Sequence, residues 1–268
     1  MTPKTPWTWI GTEHWPLPAN VRALQTDRGP GGDSLGAWAH FNLGAHCGDE
    51  PVAVAANRHF LSQQAGLPAQ PLWLNQVHGS RVVQGDELTT SQPIEADAAL
   101  SRQAGQVLVV LTADCLPLLL CRRDGRAVAA VHAGWRGLAA GIIESAVRAV
   151  DGEIMAWLGP CIGSAAFEIG PEVRQALLQD DSDAEGCFAP GQGDRWHADL
   201  AGLARRRLQA LGVACYGGDQ CTWSDPTRWY SYRRDTTTGR QATLIWIDCA
   251  PFLIQRKHIA PVSPCNQG

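Results

Sequence analysis

The length, composition and charge of this chain exclude several classes of protein. Its 268 residues, 45% of them hydrophobic, are enough for one large domain or two small ones with a real core. A net charge of -4 with scattered basic residues argues against nucleic acid or an anionic membrane as a partner. The N-terminal stretch lacks the apolar region of a signal peptide, and no segment stays apolar over the roughly 18 residues of a membrane helix. We therefore expect a soluble, cytoplasmic protein.

The cysteines indicate a reducing compartment. There are nine, an odd number, and no two of them form a CxxC pair. A chain of this size does not need disulfides to hold its fold together. We expect reduced thiols, which are available as ligands or nucleophiles.

The first part of the chain contains a glycine-rich loop and a predicted helix. The loop RGPGGDSLG lacks the lysine and the Ser or Thr of a phosphate-binding P-loop, so we interpret it as a flexible connection. The helix is predicted over residues 50–64, with Asp49 as its cap and Gly66 just after its end. Asn42 and His46 come shortly before it, where the free N–H groups of a helix start favour anions.

Two apolar runs in the middle of the chain each end in a reactive side chain. VLVVLTADC ends at Cys115, and AVAAVH ends at His132. Neither run alternates between apolar and polar residues, which is typical of strands buried on both faces. Asp114, Cys115 and Pro117 interrupt the first run before LLLC resumes, so we predict a break or bulge beside the thiol.

Further elements follow from helical and strand-like patterns. AGWRGLAAGIIESAVRAVDG predicts one amphipathic helix with Arg136 in its first turn, ending at Gly152. DLAGLARRRLQALG predicts another, capped by Asp199, with its three arginines mainly in solvent. In PLWLNQVHGSRVVQ we predict two short strands, with His78 in the turn between them.

His78, Cys115 and His132 form the strongest candidate site, although they are far apart in sequence. Two imidazoles and a thiolate suit tetrahedral zinc and leave one ligand position open. In a second interpretation, Cys115 is a nucleophile and His132 its base. In a third, Cys115 is a small buried apolar residue and His132 a hydrogen-bonded core histidine. The sequence does not decide among them, but multicopper oxidation is disfavoured because the histidines include no His-x-His pair.

Other polar residues are candidates for substrate binding. Arg136 can hold an anion at a helix start, Glu168 can act as a general acid or base, and the YSYRR run at 230–234 can frame a substrate. Each also has a purely structural interpretation, such as a solvated arginine, a hydrogen-bonded carboxylate or a loop anchored by stacking. Together with Asn42, we take Arg136, Glu168 and Arg233 as the predicted substrate contacts.

Six ordered motifs extend through much of the chain: NQVHG at 75–79, ADAAL at 96–100, TADCLPLLL at 112–120, VHAGWRGL at 131–138, LGPCIG with FEIG at 158–170, and CTWSDPTRWYSYRRDTTTGR at 221–240. Together they resemble the bacterial YfiH family, also called laccase-domain proteins or peptidoglycan editing factors. The resemblance implies an α/β fold with a mixed sheet, in one domain over residues 1–268, of the kind shared with cysteine-hydrolase-like toxins.

The same resemblance implies a zinc site made by His78, Cys115 and His132, with copper the less expected metal. It implies a purine nucleoside phosphorylase that uses phosphate to cleave adenosine, inosine or methylthioadenosine, and that also deaminates adenosine. The sequence lacks the His-x-Glu pair of other zinc deaminases, so Glu168 or Asp114 would have to move the proton. For phosphate, Arg136 or the arginines of YSYRR are the predicted holders.

Three alternatives remain open at this stage. One is a cysteine or zinc amidohydrolase that removes a misincorporated serine from a peptidoglycan precursor. Another is a copper-dependent polyphenol oxidase, as the name laccase implies. The last is a zinc-binding module without activity. No patterned interface helix predicts an oligomeric state.

Overall fold

A computed structural model describes residues 5–13, 15–87, 92–179 and 181–249, and it has a mixed α/β fold, as predicted. The strands are β1 (Trp7–Trp9), β2 (Val21–Thr26), β3 (Val82–Gln84), β4 (Ala98–Ser101), β5 (Leu108–Thr112), β6 (Leu116–Arg122), β7 (Val128–Ala133), β8 (Ile154–Leu158), β9 (Glu168–Ile169), β10 (Phe188–Pro190), β11 (Trp196–Ala198), β12 (Ala214–Gly217) and β13 (Gln241–Ile247). The α-helices are α1 (Pro51–Gln64), α2 (Trp135–Ala139), α3 (Ile142–Val150), α4 (Pro171–Leu178), α5 (Leu200–Ala210) and α6 (Tyr232–Asp235).

Two sheets face each other and form the centre of the molecule. The 6-stranded sheet has the order β12-β8-β6-β7-β4-β3, with parallel pairs at both edges and antiparallel pairs between them. The 4-stranded sheet has the order β1-β2-β13-β5 and is antiparallel throughout. Helices α3 and α5 cover the outer face of the larger sheet, and α1 packs on the outer face of the smaller one. A separate 3-stranded sheet contains β10, β11 and β9.

The central strands are apolar on both faces because each face borders a different core. In β6, Leu118 and Leu120 pack toward the helices, whereas Leu119 and Cys121 pack into the layer between the two sheets. Strands β5 and β7 divide their side chains between two cores in the same way. Burial on both faces removes the polar alternation of a half-exposed strand, which confirms that prediction.

The chain changes sheets directly beside Cys115. Strand β5 ends in the 4-stranded sheet and β6 begins in the 6-stranded sheet, with only residues 113–115 between them. Asp114 has φ 98, which is unusual for a residue with a side chain. The predicted break is therefore confirmed, and its physical reason is a crossover between layers rather than a bulge within one sheet.

Two helix predictions need correction. The helix predicted after His132 is divided in two, because Gly141 has φ 79 and separates α2 from α3. Asp49 does not cap α1. The N-cap residue of this helix is Glu50, whose side chain makes no capping hydrogen bond. The carboxylate of Asp49 instead accepts hydrogen bonds from Ser34, Asn42 and the N–H of Glu50.

Helix α5 matches its predicted cap but not its predicted polar face. The side chain of Asp199 accepts the N–H of Gly202, as expected for an N-cap. Arg207, predicted to lie in solvent, is only 7% exposed, and its Nη1 lies 3.1 Å from Oε1 of Glu144 on α3. An ion partner on the neighbouring helix accounts for the burial of this arginine.

Across the described ranges, no helix combines the length and the apolar character needed to span a membrane.

The break at Gly141 gives a test of the fold. Gly141→Ala should lower the free energy of unfolding by about 1–2 kcal/mol, because alanine is strained at positive φ. Gly186→Ala is the control, since a Cβ there meets no heavy atom within 4 Å and no positive φ is required. Urea denaturation measures both variants. An alanine at 141 that leaves stability unchanged or raises it would contradict the assigned break.

Candidate metal centre and its cavity

Folding brings together the three residues that the sequence separates. The ligand atoms of His78, Cys115 and His132 all lie within 4.8 Å of one another. The two imidazole rings stand nearly perpendicular, at an interplanar angle of 77°, with centroids 4.8 Å apart. His132 is buried, Cys115 is half-buried and His78 is exposed, so the group extends from the core to the surface.

Each member of this trio comes from a different part of the fold. His132 lies on β7, opposite Pro117 of β6, and Cys115 immediately precedes β6. His78 lies in the loop before β3 and has φ 62. Gly134 is required beside them, because a Cβ there would come within 2.9 Å of the Cys115 sulfur.

A fully buried carboxylate, Asp97, holds both histidines. Its Oδ1 lies 2.8 Å from Nδ1 of His132, and the same oxygen accepts the backbone N–H of His78 at 2.9 Å. Its Oδ2 accepts the N–H of Gly79 at 2.6 Å and that of Val77 at 3.3 Å. Because an ionised carboxylate only accepts hydrogen bonds, Nδ1 of His132 carries the proton and Nε2 is the nitrogen left for a ligand.

Asp97 remains ionised despite its position. Burial raises its pKa, but the hydrogen bonds from His132 and from the backbone N–H groups of Gly79 and His78 outweigh this and leave the pKa below its ordinary value. The sequence gives only an indirect signal for this residue, since it lies in the ADAAL motif without a predicted role.

Cys115 and His132 shift each other's ionisation. Burial raises the pKa of the Cys115 thiol, yet the charge and hydrogen bonds of the two imidazoles dominate and lower it to about 6. Burial lowers the pKa of His132, but the Cys115 thiolate and Asp97 dominate and raise it to about 9. In the metal-free protein each member of the pair thus favours the charged form of the other.

The donor set fits a transition metal. Two imidazole nitrogens and one thiolate sulfur are ligands that zinc and copper accept, whereas calcium and magnesium prefer oxygen. The thiol already favours its anionic, ligating form, and a carboxylate orients one histidine from behind, as is usual for metal-bound histidine. These three residues are therefore a possible metal site.

A cavity of about 530 Å³ opens beside the trio. One part of its lining is apolar and includes Leu111, Trp135, Ile162, Phe167 and Leu200. The other part is polar, with three arginines among its residues, and includes His46, Gln76, Thr112, Asp114, Tyr232, Arg136, Arg233 and Arg240.

Two of the four predicted substrate contacts line this cavity. Arg136 is exposed and stacks on Trp135, with its guanidinium carbon 4.3 Å from the ring centroid. Arg233 is also exposed, and its Nη1 donates to the carbonyl oxygen of Glu168 at 2.7 Å. Both arginines are thus available to an anionic ligand, and their role in substrate binding stays a prediction.

The other two predicted contacts, Asn42 and Glu168, lie outside the cavity lining. Asn42 is fully buried, and its side chain bonds to Gly44, Asp49 and the N–H of Arg240, so its geometry fits a scaffold for the loop before α1. Glu168 has an exposed side chain on β9. An asparagine that organises a loop and one that binds a ligand look alike in sequence. The position of Asn42 before α1 therefore led to its prediction as a substrate contact.

Asp114 is the carboxylate that lines the cavity in the described part of the chain. Its Oδ1 accepts the hydroxyl of Thr222 at 2.6 Å, and its Oδ2 accepts the N–H of Arg233 at 2.7 Å. This carboxylate therefore fixes the start of α6 against the loop that carries Cys115.

Sequence reasoning gave no role to Arg240 and Gln76, and it noted His46 only for its position before α1, where free N–H groups favour anions. Gln76 exchanges two hydrogen bonds with the main chain of Leu111, both at 2.8 Å, and so ties the His78 loop to β5. The pKa of His46 is lowered, first by desolvation in the cavity wall and then by the positive charges of Arg240 and Arg58. The motif ending in TTTGR was the available signal for Arg240.

Comparison with known proteins gives a consistent result. The model of the family described as multi-copper polyphenol oxidoreductase laccase matches residues 22–248. Purine nucleoside phosphorylase YfiH of Escherichia coli is 47% identical over 240 residues, which cover 87% of this chain and 96% of that protein. A purine nucleoside phosphorylase of Pseudomonas aeruginosa is 48% identical over 244 residues, which cover 89% and 98%.

Solved structures agree with these relatives. Protein NMB0706 of Neisseria meningitidis has a TM-score of 0.86 at 43% identity, and the match covers 91% of this chain and all 100% of that one. YlmD from Geobacillus stearothermophilus has a TM-score of 0.79 at 26% identity, covering 86% and 93%. The chain therefore belongs to the laccase-domain family that includes the YfiH proteins, which confirms the resemblance seen in its motifs.

Proposed function

We propose that this protein is a purine nucleoside phosphorylase that holds Zn²⁺ at His78, Cys115 and His132. One observation carries the proposal, namely that the trio, an apolar wall and three arginines all line the same cavity. The names of the E. coli and P. aeruginosa relatives support the same reaction class. The substrates would be a nucleoside such as adenosine, inosine or methylthioadenosine, together with phosphate.

The apolar part of the cavity suits a purine base. Phe167 is 6% exposed and Leu200 1% exposed, so both offer rigid apolar surface, and Trp135 and Tyr232 add aromatic rings to the lining. Offset stacking on aromatic rings and the removal of its apolar faces from water would both favour binding of a planar base. The arginines in the same lining suit the anionic co-substrate, which has to approach the ribose carbon that bears the base.

The chain's own residues prepare the trio for a metal. Asp97 fixes the proton on Nδ1 of His132, and the lowered pKa of Cys115 presents sulfur as the thiolate. When bound, Zn²⁺ would supply a Lewis acid next to the substrate. Deamination of adenosine in the same cavity would depend on Asp114 for proton transfer, because Glu168 lies outside the lining.

A second candidate function uses the thiolate directly. Asp97, His132 and Cys115 form a continuous polar chain of the kind found in cysteine hydrolases, with the carboxylate on Nδ1 and the thiol beside the imidazole. Such an arrangement would permit attack on an amide carbonyl, as in a cell-wall precursor. This activity would survive metal removal, whereas zinc-dependent phosphorolysis would not.

The main proposal predicts phosphate-dependent release of base. Incubated with adenosine or inosine, the zinc-loaded protein should produce free purine and ribose 1-phosphate only when phosphate is present. Cys115→Ala should lower this rate by more than about 100-fold, since a metal ligand is lost, while Cys215→Ala on β12, outside the cavity, should not. Product chromatography that shows no base release under any condition would end the proposal.

Asp97 gives a test of metal binding that does not depend on turnover. Asp97→Asn keeps the side-chain shape but removes the charge behind His132, so affinity for Zn²⁺ should fall by about 10- to 100-fold. Competition with a chromophoric chelator measures the affinity. Asp199→Asn removes another backbone-binding carboxylate at the start of α5 and should leave zinc affinity unchanged. Equal affinities for the Asp97 variant and the wild type would contradict the assigned role.

The ionisation of Cys115 gives a pH test on the metal-free protein. Its thiolate should persist down to a pH of about 6, whereas an ordinary cysteine loses its charge below about 8.5. Alkylation by iodoacetamide should therefore rise with pH around a midpoint near 6 and fall away in more acidic solution. Mass spectrometry of the peptides follows each thiol separately. Cys161, whose pKa burial raises, should stay unlabelled at neutral pH, and a Cys115 midpoint near 8.5 would refute the paired state.

A further inference from the structure

The loop at residues 42–47 lies against two arginines, Arg58 and Arg240. Arg58 on α1 donates through Nε and Nη2 to the carbonyl oxygen of Leu43 and lies over Trp73. Arg240 donates through Nη1 to two main-chain carbonyl oxygens of the loop that precedes it, both at 2.9 Å. Within the described ranges, neither guanidinium has a carboxylate at ion-pair distance.

Burying a charge without a counter-charge raises the free energy of its charged form, and the pKa values in this region reflect that cost. Burial lowers the pKa of Arg58 to about 10, although nearby Cys47 acts in the opposite direction. Desolvation, and then the charges of Arg240 and Arg58, lower the pKa of His46 and so favour its neutral imidazole. An anion would relieve the cationic excess at this corner of the cavity.

Arg240 is anchored at its backbone, along its side-chain stem and at one guanidinium nitrogen. Its backbone N–H donates to Oδ1 of Asn42 at 2.8 Å, and its side-chain stem packs so closely on Gly44 that a Cβ there would come within 2.6 Å of Cγ. With Nη1 anchored, Nε and Nη2 have no hydrogen-bond partner among the described residues. A fixed guanidinium with free donors loses little entropy when it binds an oxyanion.

The cationic corner is also close to the trio. Besides the two arginines, His132 and His78 themselves contribute to the electrostatic shift on His46. His46 and Arg240 both line the cavity. Arg136 and Arg233 are exposed, so solvent screens their charges more strongly. An anion at the Arg240 corner would thus lie inside the cavity, within electrostatic range of both histidines of the trio.

We propose that Arg240 and His46 form the phosphate-binding corner of this cavity and hold the attacking phosphate. The inference rests on the proposed phosphorylase function. In the reaction, an oxygen of HPO₄²⁻ forms a bond to C1′ of the ribose, and the bond from C1′ to the purine nitrogen breaks. The electron pair of the broken bond stays on the purine, which takes up the proton that phosphate gives up.

Steady-state kinetics at varied phosphate and varied adenosine test the assignment. Arg240→Gln should raise KM for phosphate by about 10- to 100-fold, as expected for lost charge-assisted hydrogen bonds, and change KM for adenosine less than about twofold. Arg240→Lys keeps the charge and should show a smaller rise. His46→Gln should act in the same direction. Arg205→Gln is the control, because it removes a half-buried arginine that donates to the carbonyl of Gly217 outside the cavity.

A second readout does not require turnover. Replacing chloride by phosphate at constant ionic strength should raise Tm of the wild type and of Arg205→Gln, because a ligand that binds the folded state stabilises it. The rise should disappear in Arg240→Gln. If Arg240→Gln does not fold, Arg240→Lys and His46→Gln test the assignment through the same two measurements, KM for phosphate and the rise in Tm with phosphate.

The outcomes separate this inference from the proposed function. Phosphorolysis by the wild type with an unchanged KM for phosphate in the Arg240 and His46 variants overturns the inference and leaves the function intact. Absence of phosphorolysis together with a Tm rise that depends on Arg240 overturns the function and retains the anion site. Adenosine 5′-phosphate distinguishes the source of the anion. If Arg240→Gln weakens binding of this nucleotide but not of inorganic phosphate, the assignment to the attacking phosphate is wrong.

Discussion

The carboxylate of Asp97 is the interaction on which the site depends. Asp97 is fully buried and directly precedes β4, which pairs with β7. Its carboxylate bonds both to the ring of His132 and to three successive N–H groups of the His78 loop. One charged group thus fixes the orientation of one imidazole and the backbone position of the other. Removing it would leave the buried Nδ1 of His132 and the three backbone N–H groups without this acceptor, so the two histidines are coupled through a shared partner as well as through space.

The two facing sheets explain where the remaining parts of the site come from. Cys115 lies where the chain passes from the smaller sheet to the larger one, and His132 lies on the neighbouring strand of the larger sheet. Gln76 ties the His78 loop to the end of β5, and Arg240 directly precedes β13, which pairs with β5. The cavity therefore forms at the edge where both layers end, and its polar lining draws on loops from each of them.

Sequence patterns were sufficient for some features and not for others. The buried strands and the break beside Cys115 followed from apolar runs and from residues that interrupt a sheet, and the family motifs pointed to the trio. The role of Asp97 could not be predicted in this way, because it depends on hydrogen bonds to a loop that is distant in sequence. Gly141 was compatible with a continuous helix until its φ was known, and the burial of Arg207 depends on Glu144 from another helix. Such features are decided by tertiary contacts, which a local pattern does not contain.

The wide separation of the three donors along the chain has a thermodynamic consequence. An ion shared by His78, Cys115 and His132 would close two large chain loops at once, and it would join the crossover between the sheets to the body of the larger one. A cross-link of this kind restricts the unfolded chain far more than the folded one. Resistance to heat and denaturant would then vary with the concentration of free ion, and the folded population in a cell would follow its metal supply.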